Sequence, residues 1–236
     1  MAYLKFIKDA DLISSIDNII AVVERAKELA NKNLYSNVLD PFSAIFHGIT
    51  HSLSYEDWIS IEKTRQTQKT MQNCIGNFHQ EILGNCYGWS DLGMGSVLDI
   101  VNDDKKVIAE IKNKYNTTKG NHKVELYDAI KSKINEPEYK NYTGYYVEII
   151  SSGKKQYDKP FTPSDNKQKG KHRPTNNKIR IIDGTTFYTM VTGRKNALLE
   201  LYNIIPEIIK QRTNYHLPEI EIKKYSDLFK KAFSTE

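Results

Sequence analysis

Residues 98–112 restrict the possible fold most strongly, because they contain two apolar stretches separated by a polar one. The apolar runs, residues 96–101 and 107–111, are rich in β-branched side chains, and the Asn-Asp-Asp-Lys-Lys sequence between them is typical of a turn. This pattern predicts a β-hairpin. If the turn is centred on Asp104 and Lys105, a residue that lies a given number of positions before Asp104 faces the residue the same number of positions after Lys105.

That register places Asp99 opposite Glu110 on one face of the hairpin, with their Cβ atoms roughly 4.5 to 5.5 Å apart. It also places Val97 opposite Lys112 on the same face. Two carboxylates this close repel each other, and charges among apolar strands are costly to bury without a partner. A divalent cation removes the repulsion, and oxygen ligands alone suit Mg²⁺. We therefore predict a Mg²⁺ site formed by Asp99 and Glu110, with Lys112 over the same pocket.

These three side chains have the chemistry that a phosphodiester hydrolase needs. In such an enzyme a metal polarises the phosphate and lowers the pKa of a bound water, and Lys112 would orient that water or stabilise the developing charge. The alternative is a salt-bridged surface hairpin, since the pattern Asp-x10-Glu-x-Lys also arises by chance. A continuous apolar opposite face favours the functional interpretation. That face consists of Leu98, Ile100, Ala109 and Ile111.

Positive charge is concentrated in residues 153–178. This stretch contains eight lysines or arginines and two aspartates, a net charge of +6, whereas the whole chain carries +5 and the remainder therefore about −1. It shows no hydrophobic periodicity, and a long structureless loop inside a compact domain is usually functional or disordered. We interpret the basic loop as a nucleic-acid phosphate-binding segment; a solvated linker is the alternative.

Length and composition favour one domain with one sizeable core, since the 236 residues are 39% hydrophobic. No apolar run approaches the roughly 18 residues of a membrane span, and residues 1–11 lack a signal-peptide pattern, so we expect a cytoplasmic protein. The two cysteines, Cys74 and Cys86, are too few for a disulfide framework. With His79 they lack a convincing fourth zinc ligand.

Hydrophobic spacing predicts that the chain before the hairpin is mainly helical. We expect three helices there, over residues 8–31, 41–46 and 55–83. The third would begin at a capping box formed by Ser54 and Asp57. The remaining elements alternate in type: strands over 144–150, 179–182 and 186–191, and helices over 124–134, 196–209 (interrupted at Pro206) and 225–233. The expected fold class is α/β, a mixed central β-sheet flanked by helices, with a helical N-terminal part.

The hairpin residues resemble the PD-(D/E)xK nuclease superfamily and, more narrowly, the Type II restriction endonucleases. Asp99 fits the first metal-binding acid, Glu110 the second and Lys112 the lysine, whereas Leu98 stands where the superfamily motif has proline. A third acid from the preceding helix would be Glu81. Further strings are similar to the small restriction enzymes of the SinI type, whose sites belong to the GGNCC class. They are residues 91–93, 110–117, 182–184, 187–188 and 191–193.

The resemblance implies a restriction-endonuclease-like fold and a Mg²⁺-dependent enzyme that cuts both strands of a short symmetric double-stranded DNA site. It would act as a homodimer whose two-fold axis matches that of the site. Water would attack phosphorus in line, leaving a 5′-phosphate and a 3′-hydroxyl, with Lys112 assisting. A DNA methyltransferase is expected as its genetic partner. The candidate DNA-binding residues are Asn113, Lys114, Lys171, His172 and Arg173.

In this interpretation residues 1–236 form a single nuclease domain. Its mainly helical part covers residues 1–90, its catalytic core with the basic loop covers 91–210, and a helical tail covers 211–236. Three alternatives stay open. They are another nuclease on the same framework (a repair, nicking or junction-resolving enzyme), a non-catalytic DNA-binding protein that uses the basic loop alone, and a protein-interaction domain whose loop binds DNA weakly and without sequence preference.

Overall fold

The computed structural model describes residues 2–93, 95–165 and 170–233. The chain divides into two compact units: unit 1 comprises Met1–Ser15 and His79–Glu236, and unit 2 comprises Ile16–Phe78. Within the described ranges, no helix has the length and apolar content that a bilayer crossing requires. A single nuclease domain over the whole chain stays a prediction.

The N-terminal part of the chain is helical, as predicted. Its helices are α1 (Asp9–Lys32), α2 (Pro41–Thr50) and α3 (Tyr55–Gly84). The predicted capping box begins α3: the Ser54 hydroxyl accepts a hydrogen bond from the Asp57 backbone amide at 3.1 Å and donates to its carboxylate at 2.7 Å. The Asp40 carboxylate likewise caps α2 by accepting from two amides of its first turn, and Pro41 fits the first helical position.

Unit 1 is built on a six-stranded mixed sheet in the order β1-β2-β3-β4-β8-β5. The strands are β1 (Ser90–Asp91), β2 (Ile100–Asn102), β3 (Val107–Lys114), β4 (Thr143–Ile150), β5 (Asp158–Pro160), β6 (Ser164–Asp165), β7 (Lys171–His172) and β8 (Ile179–Asp183). The central strands β3, β4 and β8 run parallel, and the outer pairings are antiparallel. Strands β6 and β7 form a separate hairpin.

Among the described residues, four helices lie wholly within unit 1, and the mixed sheet flanked by helices confirms the predicted fold class. They are α4 (Gly120–Asn135), α5 (Gly184–Thr192), α6 (Ala197–Arg212) and α7 (Glu219–Phe233). A buried apolar cluster joins α4 to the sheet, and burial of each large side chain contributes about 1.5 to 3 kcal/mol. Its members include Ile108, Tyr127, Ile130, Tyr146 and Ile179. This core supports the strands that carry the predicted catalytic residues.

The predicted strand over 186–191 is wrong, because these residues form helix α5. The Asp183 carboxylate accepts a hydrogen bond from the Thr186 amide at 3.0 Å and caps the helix. A Cβ on Gly184 would lie 2.4 Å from the carbonyl oxygen of Ile149, so only glycine fits this close approach. Gly193, in the left-handed conformation at φ 69°, ends the helix. The two helix caps and the close packing of Gly184 therefore outweigh the strand preference of the β-branched side chains in residues 186–191.

Within its described residues the basic loop contains short paired strands, so the expectation of a structureless segment is wrong there. Strand β5 pairs with β8, and β6 pairs with β7. Residues 166–169, including Lys167 and Lys169, lie outside the described residues.

Helix α6 also differs from its predicted form, since it continues through Pro206 to Arg212 without interruption. Proline removes a backbone donor in a helix interior, which normally disfavours the helix there. The buried side chains of Leu198, Leu201 and Ile208 lie on both sides of Pro206 in α6. Tertiary packing therefore maintains α6 across the proline.

Candidate active site

The central hairpin has the predicted register. Ile100 pairs with Ala109, and the amide of Asp99 donates a hydrogen bond to the carbonyl of Ala109 at 2.9 Å. Asp99 therefore lies across from Glu110, at the end of the paired region. The apolar opposite face is also confirmed, because all four of its residues are buried.

The paired region is shorter than predicted, and the expected pairing of Val97 with Lys112 is wrong. The ladder begins at Ile100, and Val97 is 58% exposed. The chain bends before Asp99, where the amide of Leu98 donates to the hydroxyl of Ser96 at 3.3 Å. This local turn competes with strand pairing. The Asp99–Glu110 relationship does not depend on the lost pair.

The Asp99 carboxylate is half-buried and bridges the hairpin. Its Oδ2 accepts a hydrogen bond from the backbone amide of Ile111 at 2.6 Å. Burial raises the pKa of Asp99 above its usual value, and the nearby Asp91 charge raises it further. The Ile111 amide and the Lys112 ammonium oppose this increase because they stabilise the ionised form.

Glu110 is the more buried of the two acids, with a side chain only 12% exposed. Burial and the neighbouring Asp99 charge raise the pKa of Glu110 to about 7. The Lys112 ammonium opposes this by donating a hydrogen bond to Glu110 Oε1, and its own side chain is 34% exposed. The structure thus brings Asp99, Glu110 and Lys112 into one cluster that holds more negative charge than one lysine neutralises.

This cluster fits a divalent cation. Within residues 2–93, 95–165 and 170–233, no group of three or more His, Cys, Asp or Glu side chains is arranged to hold a metal ion. Mg²⁺ does not require such a cage, because it often binds one or two carboxylates and takes its other ligands from water and substrate phosphate. Asp99 and Glu110 supply two hard oxygen donors that repel each other in its absence.

Glu81 is half-buried in the last turn of α3. Its backbone carbonyl accepts hydrogen bonds from the amide and the side chain of Asn85. The structure does not bring its carboxylate into hydrogen-bond contact with Asp99 or Glu110. Glu81 as a third acid therefore stays a prediction.

Asp91 is an acid near the site that sequence reasoning did not select. Strand β1 pairs Asp91 with Ile100, and the amide of Leu92 donates to the carbonyl of Asp99 at 2.8 Å. The Asp91 carboxylate accepts a hydrogen bond from the Gln80 side chain at 3.1 Å. The available signal was the Asp-Leu-Gly string ahead of the hairpin, but its position beside Asp99 depends on the β1–β2 pairing.

A second polar network, also missed, lies on the neighbouring strand. In the parallel β3–β4 ladder, Glu148 is the register partner of Lys112. The Glu148 side chain is 3% exposed and accepts hydrogen bonds from Lys123 Nζ at 2.9 Å and from the Tyr157 hydroxyl. An acid inside the apolar stretch of residues 145–150 was the available sequence signal. Its two donors satisfy the buried charge.

The predicted DNA-binding residues lie at two places. Asn113 and Lys114 are half-buried at the end of β3, directly after Lys112. Lys171 and His172 are exposed on β7. Arg173 is already paired, donating to Asp128 at 2.5 Å and to Asp165 at 3.0 Å. The structure therefore gives Arg173 a role in holding the β6–β7 hairpin to α4.

Comparison with known proteins agrees with this geometry. A family model described as the Eco47II restriction endonuclease matches residues 4–213. The chain is 42% identical over 212 residues to the Type II restriction enzyme Eco47II of Escherichia coli, which covers 89% of this chain and 88% of that protein. It is also 34% identical over 206 residues to the Type II restriction enzyme Sau96I of Staphylococcus aureus, and this match covers 86% of this chain and 78% of that protein. The matched residues include the hairpin and the basic loop.

Proposed function

The chain belongs to the Eco47II family of Type II restriction endonucleases, and we propose that it hydrolyses both strands of a short double-stranded DNA site of the GGNCC class. The family membership confirms the resemblance drawn from the sequence. The facing, partly buried carboxylates of Asp99 and Glu110, with Lys112 ion-paired to Glu110, are the observation that carries the proposed chemistry.

Asp99 and Glu110 are the proposed Mg²⁺ ligands. When bound, the cation supplies positive charge at the scissile phosphate and makes a water molecule a stronger nucleophile at neutral pH. The Ile111 amide holds Asp99 in place through the 2.6 Å hydrogen bond. Glu110 must be ionised to act as a ligand, so metal binding would oppose the rise in its pKa that burial causes.

Lys112 is the proposed catalytic cation. Without substrate its ammonium bonds Glu110 Oε1, and its partial exposure leaves it accessible from solvent. Once Glu110 no longer accepts its hydrogen bond, the Lys112 ammonium can donate to the attacking water or to a phosphate oxygen. Such a donor stabilises the charge that develops in the transition state.

DNA binding is assigned to the end of β3 and to the β6–β7 hairpin. Asn113 and Lys114 directly follow the catalytic lysine on β3, so they are positioned to contact the backbone near the cut. Lys171 and His172 are exposed and can reach phosphates or bases. Arg173 would contribute only by exchanging Asp128 or Asp165 for a phosphate.

We assign a homodimer as the active form, because cutting two antiparallel strands at a symmetric site requires two related active sites. A methyltransferase that modifies the same DNA site would protect the host and is the proposed genetic partner. It need not bind the enzyme.

The experiment is digestion of DNA of known sequence by the purified full chain, with Mg²⁺ or with excess EDTA. A fixed set of fragments whose ends map to GGNCC-class sites, formed with Mg²⁺ only, supports the proposal. Smearing or single-strand nicks would indicate another type of nuclease. Intact DNA that nevertheless binds the protein would indicate a non-catalytic binding protein.

A further inference from the structure

Unit 2 exposes an unusual amount of apolar surface around α2. Among the described residues, seventeen large hydrophobic side chains are exposed, and seven of them lie between residues 35 and 55. These seven, called the α2 surface below, are 56–99% exposed. They are Tyr35, Val38, Phe42, Ile45, Phe46, Ile49 and Tyr55.

Helix α2 contributes nothing to a core within the chain. It contains no Asp, Glu, Lys or Arg, and none of its residues is buried. Phe42, Ile45, Phe46 and Ile49 have the spacing i, i+3, i+4, i+7, which places them on one face of the helix. The buried apolar side chains of unit 2, as far as the structure describes it, all lie outside α2. They are Ile16, Ala26, Ala30, Leu34 and Phe78.

The apolar face of α2 continues into its surroundings. Ile45, Ile49 and Tyr55 line a groove of about 540 Å³. The hydroxyls of Tyr35 and Tyr55 lie 2.8 Å apart, which links Tyr35 to the same side. The groove is a recessed apolar area and the helix face is a protruding one, and both are exposed to solvent.

The size of the α2 surface matches one half of a stable interface. Its four aromatic side chains are 62–74% exposed. At about 150–250 Å² per aromatic side chain, they expose about 500–600 Å². The three aliphatic side chains add about 200 Å². The sum approaches the roughly 800 Å² that each partner buries in a standard interface, and exceeds the roughly 300–600 Å² of the largest apolar patch on a typical monomer.

We propose that the α2 surface is the interface between two copies of this chain, with α2 packed antiparallel against α2 of the other copy. The midpoint of α2 lies between Ile45 and Phe46, so a two-fold axis there sets Ile45 against Phe46 and Phe42 against Ile49 of the other copy. Each contact occurs twice, as an isologous interface requires. The charge-free helix allows two identical faces to meet without like-charge repulsion. The choice of a second copy as occupant rests on the proposed function, which needs two active sites.

The test is sedimentation equilibrium of the full chain without DNA. Wild-type protein is expected to be a dimer at micromolar concentration, and Phe46→Glu is expected to weaken the dimer at least a hundredfold. Leu228→Glu is the matched control, because Leu228 is exposed by 58% on α7. The control should remain dimeric. A monomeric wild type, or a Phe46→Glu protein that dimerises like the wild type, would overturn the proposal.

A mixing experiment separates interface loss from misfolding. Phe46→Glu and Phe46→Lys proteins should each be monomeric, and an equimolar mixture should recover dimers through opposite charges across the axis. Failure of the mixture to dimerise while both variants keep the wild-type circular dichroism spectrum would overturn the proposal. Cleavage assays separate this proposal from the proposed function. A wild-type monomer that cuts both DNA strands refutes the interface and the assigned dimer but not the nuclease chemistry, and a dimer through α2 that cuts no DNA refutes the nuclease function alone.

Discussion

The Asp99 carboxylate lies 2.6 Å from the backbone nitrogen of Ile111, the residue that separates Glu110 from Lys112. This hydrogen bond crosses the hairpin and fixes Asp99 relative to the strand that carries the other two proposed catalytic side chains, Glu110 and Lys112. Because the donor is a backbone amide, the hydrogen bond does not depend on the side chain at position 111. The geometry of the site is therefore built into the register of two strands.

Replacement of Lys112 by glutamine should separate catalysis from binding. The change removes the ammonium that stabilises developing charge, so we expect cleavage to slow by about 100- to 1000-fold. DNA affinity should fall by less than about tenfold, because one charge among many phosphate contacts is lost. Single-turnover cleavage and a gel-shift titration measure the two effects. Lys131→Gln, on an exposed part of α4, should change neither. Equal losses of binding and cleavage would remove Lys112 from the chemistry.

Replacement of Glu110 by glutamine should weaken Mg²⁺ binding in the absence of DNA. A neutral amide is a poorer ligand than a carboxylate, so we expect at least about a tenfold loss of affinity in calorimetric titration. Glu125→Gln, at an exposed position on α4, is the matched control. Glu81→Gln tests the predicted third acid in the same titration. An unchanged affinity in the Glu110 variant would refute its assignment as a ligand.

Substitution of Lys171 and of Arg173, two neighbouring basic residues at the β6–β7 hairpin, should have different effects. Lys171 is exposed, so Lys171→Ala should reduce the salt dependence of DNA binding by about one counterion without altering stability. Arg173 pairs with Asp128 and Asp165, so Arg173→Ala should lower the free energy of unfolding by about 1 kcal/mol. Urea denaturation and binding at several salt concentrations measure these effects. Reversed outcomes would show that Arg173 binds DNA and that Lys171 is structural.

His79 should make the protein less stable in acid. Its Nδ1 lies 2.8 Å from the buried Tyr188 hydroxyl, and burial of the imidazole lowers the pKa of His79 to about 4. The unfolded chain therefore binds a proton below pH ~6.5 that the folded chain does not, and stability falls as the pH drops toward 4. We expect a loss of about 1 to 2 kcal/mol between pH 7 and 5. His79→Gln should remove this part of the slope, whereas His216→Gln, at an exposed residue, should not. Identical slopes for wild type and His79→Gln would contradict the assignment.

The parts of the structure that local sequence determines were predictable. The hairpin register follows from one turn and two apolar runs, and the capping box at Ser54 lies within four residues. Residues 186–191 were misassigned because the reason for their helical form, the approach of Gly184 to Ile149, comes from a distant strand.

In the candidate site, too, only the contacts made within one local segment could be predicted from sequence. Asp99, Glu110 and Lys112 lie on one hairpin and could be placed from sequence. Asp91 and Glu148 lie on the strands beside the hairpin through the β1–β2 and β3–β4 pairings, which no local pattern specifies. The order in the basic loop likewise depends on pairing of β5 with β8 and on the ion pairs of Arg173.

Mg²⁺-dependent cleavage of a single-site DNA by Asp99→Asn tests whether the Asp99–Glu110 pair holds the catalytic metal. Asparagine keeps the oxygen that accepts from the Ile111 amide but removes the charge, so the hairpin should stay folded. We predict cleavage at least about a thousandfold slower, with unchanged thermal stability and DNA still bound. Asp104→Asn, in the exposed turn of the same hairpin, should cut at the wild-type rate. Cleavage at the wild-type rate by Asp99→Asn would show that Asp99 is not part of the catalytic site.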